Sequence, residues 1–179
     1  MKTSHIITLV SLGVLILVLG TITAIIYSSH KSDQLNEAKQ TLGVDNGSIY
    51  TDLDGNKIEL ANFLDQVLIV NIWASWSPFS AQELPLLEKI AETYRDKNLV
   101  VLAINRKEEV PQVMRYIQTL PDLPNIIFVI DKTDHFYKAS GGYAMPETII
   151  YNKQGTMVFH GRGTINEDDF ISKIDSLLN

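Results

Sequence analysis

The chain has 179 residues, enough for one domain and an appendage, and its 45% hydrophobic and 20% charged residues are ordinary for a globular protein. All 21 acidic residues follow residue 31, whereas two of the 15 basic ones, Lys2 and Lys31, do not, so residues 32–179 carry a formal charge of −8. That balance argues against nucleic acid, whose phosphates ask for a basic face, and against adhesion of the domain to anionic lipid.

Residues 1–5 form a short tail, and residues 6–27 are an uncharged apolar run. Its 22 residues are enough, at about 1.5 Å each, to cross a hydrocarbon core of roughly 30 Å. The run is longer than the apolar region of a signal peptide, and no small-x-small cleavage site precedes Ser28. It therefore reads as an uncleaved single-pass anchor rather than a removed leader or a buried core helix. Lys2 precedes it and His30 and Lys31 follow it, so flanking charge marks the orientation weakly. Its place at the head of the chain predicts a cytoplasmic N-terminus and an extracytoplasmic domain. Residues 28–46 are polar and read as a linker, with a short helix possible over 34–42.

From residue 47 to 179 the pattern alternates between strand and helix. Residues 48–51 and 57–60 flank an Asp54-Gly55 turn, the signal of a small hairpin. Residues 66–74 (QVLIVNIWA) are a branched apolar run, as in a strand covered on both faces. Residues 78–96 carry a helical stripe of Leu84, Leu87, Ile90, Ala91 and Tyr94, kinked by Pro85. Residues 98–105 predict a second buried strand, 109–120 a helix stopped by Pro121 and Pro124, and 125–130 a third strand. A short helix follows over 133–140, then a hairpin of residues 147–151 and 157–160. A last helix is capped by Asn166 and buries Phe170, Ile171, Ile174, Leu177 and Leu178. The order predicts an α/β fold with a central mixed sheet of four or five strands flanked by helices on both faces.

Two local motifs carry a resemblance. The first is Trp73-Ala74-Ser75-Trp76-Ser77-Pro78-Phe79-Ser80-Ala81-Gln82-Glu83-Leu84-Pro85, which leaves a buried strand and opens a proline-kinked helix. It resembles the W-A-x-W-C-x-x-C-x-x-E-x-P signature of membrane-anchored thioredoxin-like thiol-disulfide oxidoreductases, the cytochrome c maturation reductases among them. The second, Tyr143-Ala144-Met145-Pro146-Glu147-Thr148, with Gly155 and Gly161-Arg162-Gly163 beyond it, resembles that family's cis-proline segment. The resemblance covers residues 47–179 and implies a thioredoxin-like fold, a domain outside the cytoplasm, and disulfide reduction or exchange in partner proteins. It implies no cofactor and no metal.

The chain departs from the pattern where the chemistry sits. It contains no cysteine, and Ser77 and Ser80 occupy the positions of both family thiols. A thiolate at a helix N-terminus is stabilised by unpaired amides and the helix dipole, whereas a serine hydroxyl has no comparably accessible anion. Two serines also cannot close the covalent pair that stores two electrons. Ser77-Pro78-Phe79-Ser80 is therefore expected to be inactive in dithiol exchange. Deliberate replacement and a natural non-redox member explain the serines about equally. A serine hydrolase is disfavoured, because no G-x-S-x-G surrounds Ser77 and neither His135 nor His160 is visibly related to it. Plain N-terminal capping of the helix by these serines is the bland alternative.

The remaining candidates follow from the resemblance. Ser77 marks the attacking position and Ser80 the resolving one. Glu83 matches an acidic residue held beneath the thiols, where burial would raise its pKa; otherwise it is an exposed helix glutamate. Pro146 implies a cis Met145–Pro146 bond in a loop that offers backbone to an extended partner segment, a dock that needs no cysteine. Glu147 is expected near that loop, or else as a solvent-facing strand residue. Trp73 is expected in the core and Trp76 on the rim, with Pro78, Phe79 and Met145 completing the contact surface. His135 and His160 lack metal-site spacing and read as surface or strand residues. Three functions follow: a redox-silent oxidoreductase relative, a non-catalytic module or chaperone that binds an extended or cysteine-containing segment of a protein partner, or a structural subunit that packs against other membrane proteins.

Overall fold

A computed structural model describes residues 2–41 and 50–178, in two compact units, Met1–Glu37 and Ala38–Asn179. Helix α1 (Lys2–Thr41) runs unbroken through the apolar stretch and on through residues 28–41 of the polar stretch. Nothing in Ser28–Thr41 stops it: the segment has no glycine or proline, and Glu37-Ala38-Lys39-Gln40 are strong helix formers. Within α1, Gly13–Asp33 is long and apolar enough to cross a membrane, and its side chains are exposed. The rest of the expected linker, residues 42–46, lies outside the described residues, as do positions 47–49.

In the second unit the strands are β1 (Tyr50–Asp52), β2 (Lys57–Ile58), β3 (Val67–Trp73), β4 (Leu99–Arg106), β5 (Ile126–Asp131), β6 (Glu147–Tyr151) and β7 (Met157–Arg162). They form one seven-stranded sheet in the order β2-β1-β5-β4-β3-β6-β7. The expectation of four or five strands is corrected: the Asp54-Gly55 hairpin adds to the sheet through antiparallel pairing of Thr51 and Asp52 with Ile130 and Val129. A hairpin this short is marginal alone and gains its stability by extending a larger sheet. Strands β3, β4 and β5 are parallel, and β6 and β7 return antiparallel.

Helix α2 (Ser80–Thr93) begins two residues later and ends three residues earlier than its apolar stripe predicts. Ser77–Phe79 are spent on the turn out of β3, and a 3₁₀ turn at Arg95–Lys97 followed by Asn98 at φ 55° closes the other end. The helices α3 (Val110–Ile117), α4 (His135–Ala139) and α5 (Glu167–Leu178) complete the layers. Asn166 Oδ1 accepts from the Asp169 N–H at 3.1 Å, which caps α5.

All seven residues of β3 are buried, and the side-chain alternation sorts them between two cores. Val67, Ile69 and Trp73 join α2, α5 and Val113 of α3, with Leu84, Leu87, Phe170 and Ile174 as the filling. Leu68, Val70 and Ile72 join Ile149, Tyr151, Leu60 and Phe136 of α4 on the opposite face. The sheet is thus covered on both sides, and β3, between β4 and β6, delivers its C-terminal end to the turn that holds Ser77.

Candidate functional site

The turn Ala74–Phe79 is where the central strand gives way to α2. Ser77 N–H donates to Ala74 O at 3.1 Å and Ser80 N–H to Ser77 O at 3.1 Å, so the backbone closes on itself before the helix starts. Ser77 and Ser80 are both buried, while Trp76 and Phe79 are 63% and 50% exposed. Simple capping by the serines is overturned: Phe79 occupies the cap position, no side chain caps the helix, and the Ser80 hydroxyl has no hydrogen-bond partner. Ser80 sits inside the first turn, where its oxygen cannot reach the second or third helical amide. Ser77 Oγ instead donates to Met145 O at 3.5 Å.

That contact ties the turn to the loop before β6. The Met145–Pro146 bond is cis, and Gly163 N–H donates to Pro146 O at 2.9 Å. Tyr143 in the same loop is 85% exposed. The turn and the loop that meet at the Ser77–Met145 contact thus carry three exposed aromatics near it in sequence, Trp76, Phe79 and Tyr143, the rim residues of a seam between Ser77 and the Met145–Pro146 segment. Trp73 lies beneath, fully buried against Tyr116 and Phe128 at centroid distances of 5.5 and 5.8 Å.

Two carboxylates flank the seam on opposite faces of the sheet. Glu83, from the first turn of α2, is 3% exposed. It accepts from Asn71 Nδ2 at 2.7 Å, Thr148 Oγ1 at 3.5 Å and the Ile165 N–H at 3.0 Å. Burial raises its pKa above the ordinary carboxyl value, and these three neutral donors offset only part of that. The exposed-glutamate reading of Glu83 is thereby overturned. Glu147 is fully buried and accepts from the N–H groups of Tyr143 and Ala144 and from His160 Nε2 at 2.6 Å. Burial works against its charge, yet the two amides and the imidazole together hold its pKa below the ordinary value. The solvent-facing reading of Glu147 is thereby overturned.

Sequence reasoning did not single out several residues that build this site. Asn71 links Glu83 to Thr148, with Nδ2 also 2.9 Å from Thr148 Oγ1. Glu108, 7% exposed, accepts from Ser75 N–H at 2.7 Å, Ser75 Oγ at 2.5 Å, Asn105 Nδ2 at 2.6 Å and Gln112 Nε2 at 2.6 Å. It thereby pins the residue before Trp76. His160, set aside as a surface or strand residue, touches Glu147. His135 opens α4 and lines a cleft of about 610 Å³ with Tyr50, Asp52, Asp131 and Lys132, and none of the predicted site residues lines it. No cluster of three metal-ligating side chains occurs among the described residues.

A central mixed sheet with helices on both faces, a helix opening beneath an exposed tryptophan and a cis-proline loop across from it define a thioredoxin-like protein. Residues 29–178 match the Redoxin family model, and the chain belongs to that family. It is 24% identical over 165 residues to the thiol-disulfide oxidoreductase ResA of Bacillus cereus, covering 90% of this chain and 92% of that one. It is 27% identical over 100 residues to the thiol:disulfide interchange protein DsbE of Haemophilus influenzae, covering 56% and 52%. Among solved structures, a secreted disulfide oxidoreductase of Mycobacterium tuberculosis superposes with a TM-score of 0.63 at 17% identity, over 72% of this chain and 95% of that one.

Proposed function

We propose that this chain is a redoxin without thiol exchange that serves as a membrane-tethered docking domain on the extracytoplasmic side. It holds an extended segment of a partner protein against the seam between Ser77 and Pro146. The observation that carries this reading is a dock built without cysteine: both family thiol positions are serine, yet the turn still meets the cis-proline loop through Ser77 and Met145, and Glu147 still holds that loop. Without cysteine the chain cannot form the mixed disulfide through which thiol-disulfide exchange proceeds. The dock itself needs backbone groups and an apolar rim, and aromatic side chains at the edge of a cleft are good anchors for a partner segment. The tether is supported by Gly13–Asp33, and the compartment by the secreted relative. The partner class that the family implies is an exported, cysteine-containing protein, apocytochromes c included.

Insulin-disulfide reduction tests the redox half. The native full chain is expected to show no rate above the reductant blank, and the S77C/S80C variant to show a clear one. Native activity above the blank would refute the proposal. Isothermal titration calorimetry of the full chain with reduced, carboxamidomethylated insulin B chain tests the docking half. Saturable binding to the native chain, weakened in W76A, is expected; no saturation with the native chain refutes docking.

A further inference from the structure

We infer that His160 is a positioning residue for the docking loop: by pairing with Glu147 it sets how firmly the Tyr143–Ala144 turn is held and so how well the loop docks a partner segment. This rests on the docking proposal above. The loop is held at three points. Ser77 Oγ meets Met145 O, Gly163 N–H meets Pro146 O, and the Glu147 carboxylate takes the N–H groups of Tyr143 and Ala144. The third hold has a second side chain behind it, since His160 Nε2 lies 2.6 Å from Glu147 Oε2. The carboxylate is fully buried, whereas the imidazole, on the edge strand β7, is 14% exposed.

The surroundings leave His160 in control. Arg162, across from Glu147 on β7, is exposed and forms no ion pair with it, and Ile72 of β3, its partner on the other side, is apolar. Glu83 from α2 is engaged through Asn71 and Thr148 on the opposite face. Tyr143 turns its ring to solvent. Towards α4, the Tyr137 ring lies close to Gly142 and is covered by Arg106 at 3.6 Å, itself paired with Asp134. His160 is the one charged side chain that acts on Glu147 among the described residues.

The imidazole bond to Oε2 fixes the carboxylate under the two amides. Without it the carboxylate is free to swing away and the turn slackens. Removing the imidazole should therefore weaken docking by about threefold to tenfold.

The test uses the ¹⁵N-labelled full chain in detergent micelles. H160A should shift the Tyr143 and Ala144 amides and weaken binding of carboxamidomethylated insulin B chain; H160Q, which keeps a neutral donor toward Glu147, should restore both in part. Unmoved amides in H160A, no partial rescue in H160Q, or B-chain binding indifferent to His160 would overturn the inference. Amides that move in H160A of a chain whose native form binds no B chain would instead uphold the clamp and refute the docking proposal.

Discussion

Glu83 and Glu147 make a natural comparison, since both are buried carboxyls beside the same seam. Glu83 faces the core built with α2 and α5, and Glu147 faces the other, alongside Ile149. Burial pushes both pKa values up, yet only that of Glu83 ends above the ordinary carboxyl value. The difference lies in the donors. A lone backbone amide and two neutral side chains serve Glu83, whereas two amides and an imidazole converge on Glu147. Depth of burial does not decide whether a carboxyl is charged; the number and charge of the groups aimed at it do.

The two should therefore act on stability with opposite sign. The stabilisation from Glu147 is present above the ordinary carboxyl pKa and is lost as pH falls through its lowered one. The penalty from Glu83 is absent below the ordinary value and grows as pH rises through its raised one. The strongest way to break the comparison is E147A, which strands two amides and His160. It should cost about 3 kcal/mol in urea unfolding at neutral pH, and a loss near zero would mean that the clamp holds nothing. W76A supplies the contrast on the rim. It should weaken insulin B-chain docking about tenfold while leaving the unfolding midpoint unmoved.

Smaller effects sharpen the contrast. Thr148 neighbours Glu147 in sequence but serves Glu83 across the sheet. T148V should cost about 1 kcal/mol and push the Glu83 carboxyl titration further up, read by carboxyl ¹³C NMR, with Glu147 unmoved. E83Q should have the mildest consequence. Stability at neutral pH should rise by a few tenths of a kcal/mol to about 1 kcal/mol, because the charge is removed from its buried place. The decline in stability from mildly acid to neutral pH should flatten in the same variant, and an unchanged slope would acquit Glu83.

The sheet and its layers were legible because residues 66–74 and 98–105 are too apolar and too branched for any exposed element, and the 84–94 stripe has helical spacing. Asn71 was legible too, although sequence reasoning passed over it: a lone amide inside such a run must find a buried partner. The His160–Glu147 pair was not. Its contact is diagonal across the β6–β7 hairpin, and the sequence pattern ended β7 at His160, two residues short of Arg162 and of the register that brings the side chains together. Glu108 gave no signal either, since its partner Ser75 lies 33 residues upstream with no periodic pattern joining them. The helical character of residues 28–33 was hidden because polar residues without an apolar face read as a tether.

A thiol tolerates a dry, acceptor-poor niche far better than a hydroxyl does, and the niche around position 80 is of that kind: the Ser80 oxygen is wholly enclosed and unmatched. Reinstating cysteine there sheds an unmet polar atom, so S80C alone should raise the melting temperature slightly. Packing at this position thus favours sulfur.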